Sequence, residues 1–304
     1  MIFDLRNPKH RKILLILAIS AIAYSISSVM AYIVAVNIPI SIALISTRVG
    51  FLIATLCFLA IERNKIDLGF SKSGIVSWIY GISFAAVGLL LFISYQHQSL
   101  SNIFPLVEGG VLVFLALDLA FHRKKLGSKT ILLLTLGVVV VFLGTFFAES
   151  SGFSLNLSTL PYAIGIILAT GIGYYAMANK TKTVTESSKQ LAFVISGLVV
   201  AILVLSIYHG PNVLSKYNNL FFLAGVVAGA LLCVALSMEI KAVKHAMTGN
   251  ERKNVILRNF INNFTELDTV IVLLASVAIG SYTIDGLLGG ALIVIGVLIL
   301  SVMM

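Results

Sequence analysis

A chain of 304 residues in which 59% are hydrophobic and only 11% charged, with a mean hydropathy of +1.05, lies outside the range of soluble globular domains. Its 21 Lys and Arg against 12 Asp and Glu give a net charge of +9, but the basic residues stand in short tracts between apolar runs. That layout excludes a nucleic-acid face and points to membrane orientation.

Ten stretches approach the roughly 20 helical residues that a hydrocarbon core of about 30 Å requires. Residues 1–12, with Arg6, Lys9, Arg11 and Lys12, form a basic N-terminal segment. The run that follows, 13–36, exceeds the 7–15 residues or so of a signal-peptide core and has no cleavage motif behind it, so it reads as a retained first span carrying Tyr24 and Tyr32. Span two, 40–61, encloses Arg48, and span three, 74–95, begins near Trp78 and ends at Gln96-His97-Gln98. Span four, 102–121, holds Asn102, Pro105 and Glu108; span five is 130–148. In the second half the spans are 160–179 with Tyr174 and Tyr175, then 190–208, 219–240, 255–279 and 284–301. The connections are too short for a soluble domain, and a β-barrel would need strands of about ten residues with alternating polarity.

Charge supports this count. The N-terminus and every second connection carry 19 of the 21 basic residues, while the remaining connections carry Lys216 alone and Arg48 lies inside a span. Both termini are therefore expected in the cytoplasm, in a multi-pass protein of the plasma membrane. An internal repeat divides the chain at residue 150: LGVVVVFLG at 136–144 matches LGGALIVIG at 288–296, each in the last span of its half, with glycines seven apart on one helix face. Ser46-Thr47-Arg48 is echoed more weakly by Ser187-Ser188-Lys189. The expected fold is all-α and integral to the membrane, with ten transmembrane helices in two five-helix repeats, 13–150 and 151–304. Because five is odd, the second repeat enters upside down, the pattern of many secondary transporters.

TRVGFLIATLCFL in span two, SLSNIFPLVEGGVLVFLAL in span four and GLLGGALIVIGVLIL in span ten, set in ten spans with basic loops, resemble the drug/metabolite transporter superfamily and its EamA-type members. That resemblance implies alternating-access export of amino acids, related metabolites or amphipathic compounds. The same architecture serves importers or exchangers of sugars, nucleotide sugars or phosphorylated metabolites, for which Arg48 and Lys189 would be natural phosphate ligands. A non-transporting scaffold or membrane enzyme would instead be a dry, packed bundle.

A charge near the bilayer centre costs about 2.5–3.5 kcal/mol on insertion scales, so intramembrane charges mark candidate sites. Arg48, Glu108 and Glu266 stand about 14, 10 and 16 Å into their spans at 1.5 Å per residue. Asn259, Asn262, Asn263 and Glu266 share one helix face, which should turn into the bundle. Asp268 lies about 200° around that helix from Glu266, which the longer stripe favours. Pro105 frees a carbonyl one turn earlier, close to Glu108. The candidate substrate- or proton-binding set is thus Glu266, Glu108, Arg48, Asn259, Asn262, Asn263, Tyr24 and Tyr174. One reading gives a carboxylate from each repeat to the pathway, holding a proton in low dielectric until substrate or Arg48 displaces it. The other makes the three charges a structural ion-pair network. Transport would run on the solute gradient alone or on proton exchange, by a monomer or homodimer whose other partners are the bilayer and a small molecule. The five histidines and two cysteines show no metal-ligand spacing, and neither a P-loop nor a hydrolase motif occurs, so no cofactor or enzymatic role is expected.

Overall fold

The computed structural model describes residues 8–62, 66, 68–122, 128–151, 154–155, 159–179, 186–209, 219–246 and 267–301. In order these form α1 (Pro8–Asn37), α2 (Ile40–Glu62), α3 (Lys72–Tyr95), α4 (Leu100–Ile103), a 3-10 turn (Phe104–Val107), α5 (Gly110–His122) and α6 (Ser128–Glu149). After a two-residue antiparallel ladder, Ser150–Ser151 on Ser154–Leu155, come α7 (Leu160–Asn179), α8 (Glu186–Val204) with a π turn (Leu205–His209), and α9 (Asn219–Ala246). Helices α10 (Leu267–Ala278) and α11 (Ile284–Ser301) complete the described chain.

Most expected spans coincide with one helix, but span four does not. Pro105 has no backbone N–H to continue an α-helix, and the chain tightens there into a 3-10 turn before restarting at Gly110. Side chains hold the break. Asn102 Nδ2 donates to the Ala148 carbonyl at 2.8 Å, and Asn102 Oδ1 accepts from Thr283 Oγ1 at 2.7 Å, tying α4 to α6 and to the start of α11. Thr283 Oγ1 also accepts from the Gly286 amide at 2.9 Å, satisfying one of the free donors at the start of α11. Ser71 does the same for α3, accepting from the Gly74 amide at 3.0 Å.

Among the described residues six helical stretches are long and apolar enough to cross a membrane: Arg11–Asn37, Ile40–Ile61, Gly74–Tyr95, Ile131–Ala148, Ser188–Ile207 and Asn219–Met238. Four apolar helices are shorter within the described residues: Leu100–Phe114, Leu160–Ala176, Leu267–Ala278 and Ile284–Leu300. Large apolar side chains such as Leu132, Phe142 and Leu274 point outward and are about 70% exposed, which only a hydrocarbon surround makes favourable. The chain is an integral membrane protein.

The helix pairing positions the site. α1 packs on α9 and α3 on α7; α2 packs on α9 and α3 on α8; α2 meets α8; and α6 meets α11. The repeated glycine motifs form that last contact. A Cβ on Gly144 would stand 2.7 Å from the Gly289 carbonyl oxygen, and one on Gly296 would stand 3.0 Å from that of Gly137, so glycine alone allows the two backbones to touch. The main apolar core lies where α1, α2, α3 and the broken α4–α5 segment converge, with Leu100, Ile103, Phe104 and Leu106 fully enclosed.

Candidate functional site

Arg48 is on the first half of α2, and its side chain is 3% exposed. The guanidinium fits a slot left by two glycines: a Cβ on Gly88 of α3 would strike Nη2, and a Cβ on Gly197 of α8 would strike Nε. Its carbon lies 4.2 Å from the centroid of the Phe193 ring of α8, which Phe51 braces edge-on at 4.7 Å. Arg48 Nε has no hydrogen-bond partner, and among the described residues no carboxylate bonds the guanidinium. A cation over a desolvated aromatic face gains about 2 kcal/mol, against the insertion cost of about 2.5–3.5 kcal/mol for the charge. The ring therefore offsets much of the penalty and leaves the N–H donors unsatisfied.

Those donors border a cavity in which the centres of water-sized molecules have about 70 Å³, room for several waters at about 10–15 Å³ each. α1 contributes Tyr24, Ser27 and Ser28, α2 contributes Thr47 and Arg48, and α3 contributes Phe84, Gly88, Phe92 and Tyr95; Phe193 of α8 and Gly229 and Leu232 of α9 close it. The serine and threonine protons are committed to the backbone. Ser27 donates to the Ala228 carbonyl at 2.8 Å, Ser28 to that of Tyr24 at 2.9 Å, and Thr47 to that of Leu44 at 2.9 Å. Their oxygens remain as acceptors along the wall.

Tyr24, Phe84 and Leu236 also line a smaller adjoining space of about 10 Å³, whose other walls are Ser20, Ala21, Tyr174 and Asp268. Here the two halves of the chain exchange polar contacts. Thr269 Oγ1 lies 3.1 Å from Glu108 Oε1 and 3.5 Å from Asp268 Oδ1, and its single proton favours the nearer Glu108. Asp268 Oδ1 accepts from the Thr269 amide at 2.7 Å, and the Asp268 carbonyl accepts from Ser25 Oγ at 3.1 Å. Glu108 and Asp268 are both buried, linked through one hydroxyl.

Of the residues expected from sequence, Arg48 and Tyr24 line the larger cavity, Tyr24 and Tyr174 the smaller one, and Glu108 stands behind Thr269. Asn259, Asn262, Asn263 and Glu266 lie outside the described residues. Sequence reasoning set Asp268 aside in favour of Glu266, yet Asp268 borders the cavity system; its position in an apolar run was the available signal. Phe193, Gly88 and Gly197 carried no signal, since an apolar residue or a glycine in a span is ordinary. Lys189, the echo of Arg48 in the second half, is fully buried on α8 with its ammonium 5.8 Å from the Tyr80 ring. Among the described residues no group of His, Cys, Asp and Glu could hold a metal ion.

Residues 4–151 match the family model described as a sugar transport protein. Among 22 matching solved chains, one described only as the crystal structure of a protein shares 12% identity over 95% of this chain and 96% of its own, with a TM-score of 0.55. The two chains share a fold. No curated protein matches.

Proposed function

We propose that this chain is a secondary transporter that moves a small polar metabolite through the cavity beside Arg48 by alternating access. The carrying observation is that a largely apolar cavity, into which Arg48 brings a charge and Tyr24, Ser27, Ser28, Thr47 and Tyr95 bring hydroxyls, sits between helices of both halves, α1 to α3 on one side and α8 and α9 on the other. The architecture is that of ten spans in two inverted five-helix repeats, as in EamA-type carriers. Exchanging the halves in chain order turns the α1–α9 contact into α3–α7, turns α2–α9 into α3–α8, and returns α2–α8 and α6–α11 to themselves, which supports that symmetry. Both termini face the cytoplasm of the plasma membrane. The similarity of residues 4–151 to sugar transport proteins supports a hydroxylated, sugar-type solute. The aromatic rings of the wall suit the apolar face of a sugar ring.

Glu108, with Thr269 and Asp268, is the proton site of this reading, because two carboxyl groups buried side by side and joined through one hydroxyl favour keeping a proton on one of them. Asn259, Asn262, Asn263 and Glu266 remain candidate solute- or proton-binding residues of this reading. A second reading, export of an amino acid or related metabolite, is favoured by the same two acids, which would take an ammonium group.

The test measures uptake and efflux of radiolabelled monosaccharides and amino acids in cells with wild type, Glu108→Gln, Glu266→Gln or no transporter, at equal verified membrane abundance. Wild type should move a sugar-type solute, and Glu108→Gln should abolish its dependence on a proton gradient. Movement of amino acids alone would select the second reading. Equal fluxes with and without the protein, in both directions, would refute transport.

A further inference from the structure

Resting on that transport reading, we infer that the solute carries a carboxylate or phosphate group, and that Arg48 binds it. A guanidinium that is 3% exposed, with Nε unbonded and no carboxylate of the described residues upon it, is a charge without its counter-ion. The slot around it is built rather than incidental. Gly88 and Gly197, on two different helices, each leave the space of one Cβ for the guanidinium, and Phe193 covers one of its faces at 4.2 Å. What stays open is the side toward the cavity, of which Arg48 and Gly88 are both wall residues.

The rest of the wall points the same way. The hydroxyl protons of Ser27, Ser28 and Thr47 are spent on backbone carbonyls. Apart from tyrosine hydroxyls, Arg48 is the cavity's donor set. A neutral polyol is ordinarily gripped by carboxylate and carboxamide side chains that accept from its hydroxyls, and the larger cavity has neither among its wall residues. A planar fork of donors with a fixed positive charge matches the two oxygens of a carboxylate or phosphate.

The full chain, purified into phosphatidylcholine nanodiscs, would be assayed for equilibrium binding of D-glucose, D-glucuronate and D-glucose 6-phosphate, which differ in the anionic group. At least one anion should bind tenfold or more tighter than glucose, and which one binds separates carboxylate from phosphate. Arg48→Gln should weaken that anion by about thirtyfold or more, the fold-change that about 2 kcal/mol corresponds to, and should weaken it far more than it weakens glucose. Arg48→Lys should restore only part of it.

Glucose binding as tightly as both anions, failure of both anions to bind, or an anion preference that survives Arg48→Gln would each overturn the inference. The wild-type comparison stands even if that variant does not fold. Displacement of the anion by added phosphatidylglycerol would assign the site to a lipid headgroup and overturn it as a solute site. Counterflow of the bound anion in proteoliposomes separates the two claims. Arg48-dependent binding without counterflow refutes transport and leaves the anion site standing, whereas counterflow of glucose alone does the reverse.

Discussion

Replacing Gly229 by Ala should force α2 and α9 apart. The new Cβ would collide with the Thr47 carbonyl, standing 2.7 Å from its carbon and 2.9 Å from the Phe51 amide nitrogen. The contact is reciprocal, since a Cβ on Gly50 would stand 2.8 Å from the Val226 Cα, so both sides of the crossing are backbone. Overpacking costs about 1–3 kcal/mol when side chains can shift, and backbone cannot rotate aside, so about 3 kcal/mol or more is expected.

Gly165→Ala is the matched control, because its Cβ would meet only the flexible δ-methyls of Leu90, one of them at 2.8 Å. Both substitutions gain the same helix propensity, about 1 kcal/mol, which cancels in the comparison. Equilibrium unfolding in mixed micelles, followed through Trp78 as the single tryptophan, measures the difference. Because Thr47 and Arg48 both line the cavity, Gly229→Ala should also weaken solute binding. Stability within about 0.5 kcal/mol of the control would show that the helices do not approach through glycine, and would refute the argument.

Thr269→Val keeps the shape but removes the hydroxyl between Glu108 and Asp268; loss of a hydrogen bond to a charged group predicts about 1.5–3 kcal/mol of destabilisation in the same unfolding assay. An unchanged midpoint would mean that the hydroxyl does not bridge the acids. Asn102→Leu should cost about 2–4 kcal/mol by orphaning the Ala148 carbonyl and Thr283 Oγ1, and the resulting loosening of α4 should appear as faster amide exchange at Ser99 to Ile103. In a background with both cysteines replaced by Ser, Ser28→Cys should react with a membrane-impermeant aqueous maleimide, whereas outward-facing Leu132→Cys should not. The opposite pattern would show the cavity to be dry.

The lengths and composition of the helices were legible in the sequence, because hydrocarbon imposes a one-dimensional rule: every backbone polar group must be satisfied within an apolar run about 20 residues long. The stretches 160–179 and 284–301 coincide with α7 and α11 to the residue. The missing N–H of Pro105 marked span four as a place of disruption, but its extent as a 3-10 turn depends on Asn102 reaching Ala148 and Thr283. The glycine repeat was visible as a pattern; that its two copies pack on each other is a fact of tertiary structure.

The site divides in the same way. Arg48 and Glu108 announced themselves because a charge in hydrocarbon is costly wherever it goes. Which groups answer that cost was not legible. The Phe193 ring and the two glycines around Arg48 come from helices far away in sequence, where each is an ordinary span residue. Asp268 shows the limit most plainly. Periodicity ranks the faces of a helix by that helix alone, whereas packing against α1 and the Glu108 turn decides its rotation, and that rotation brings Asp268 to the cavity.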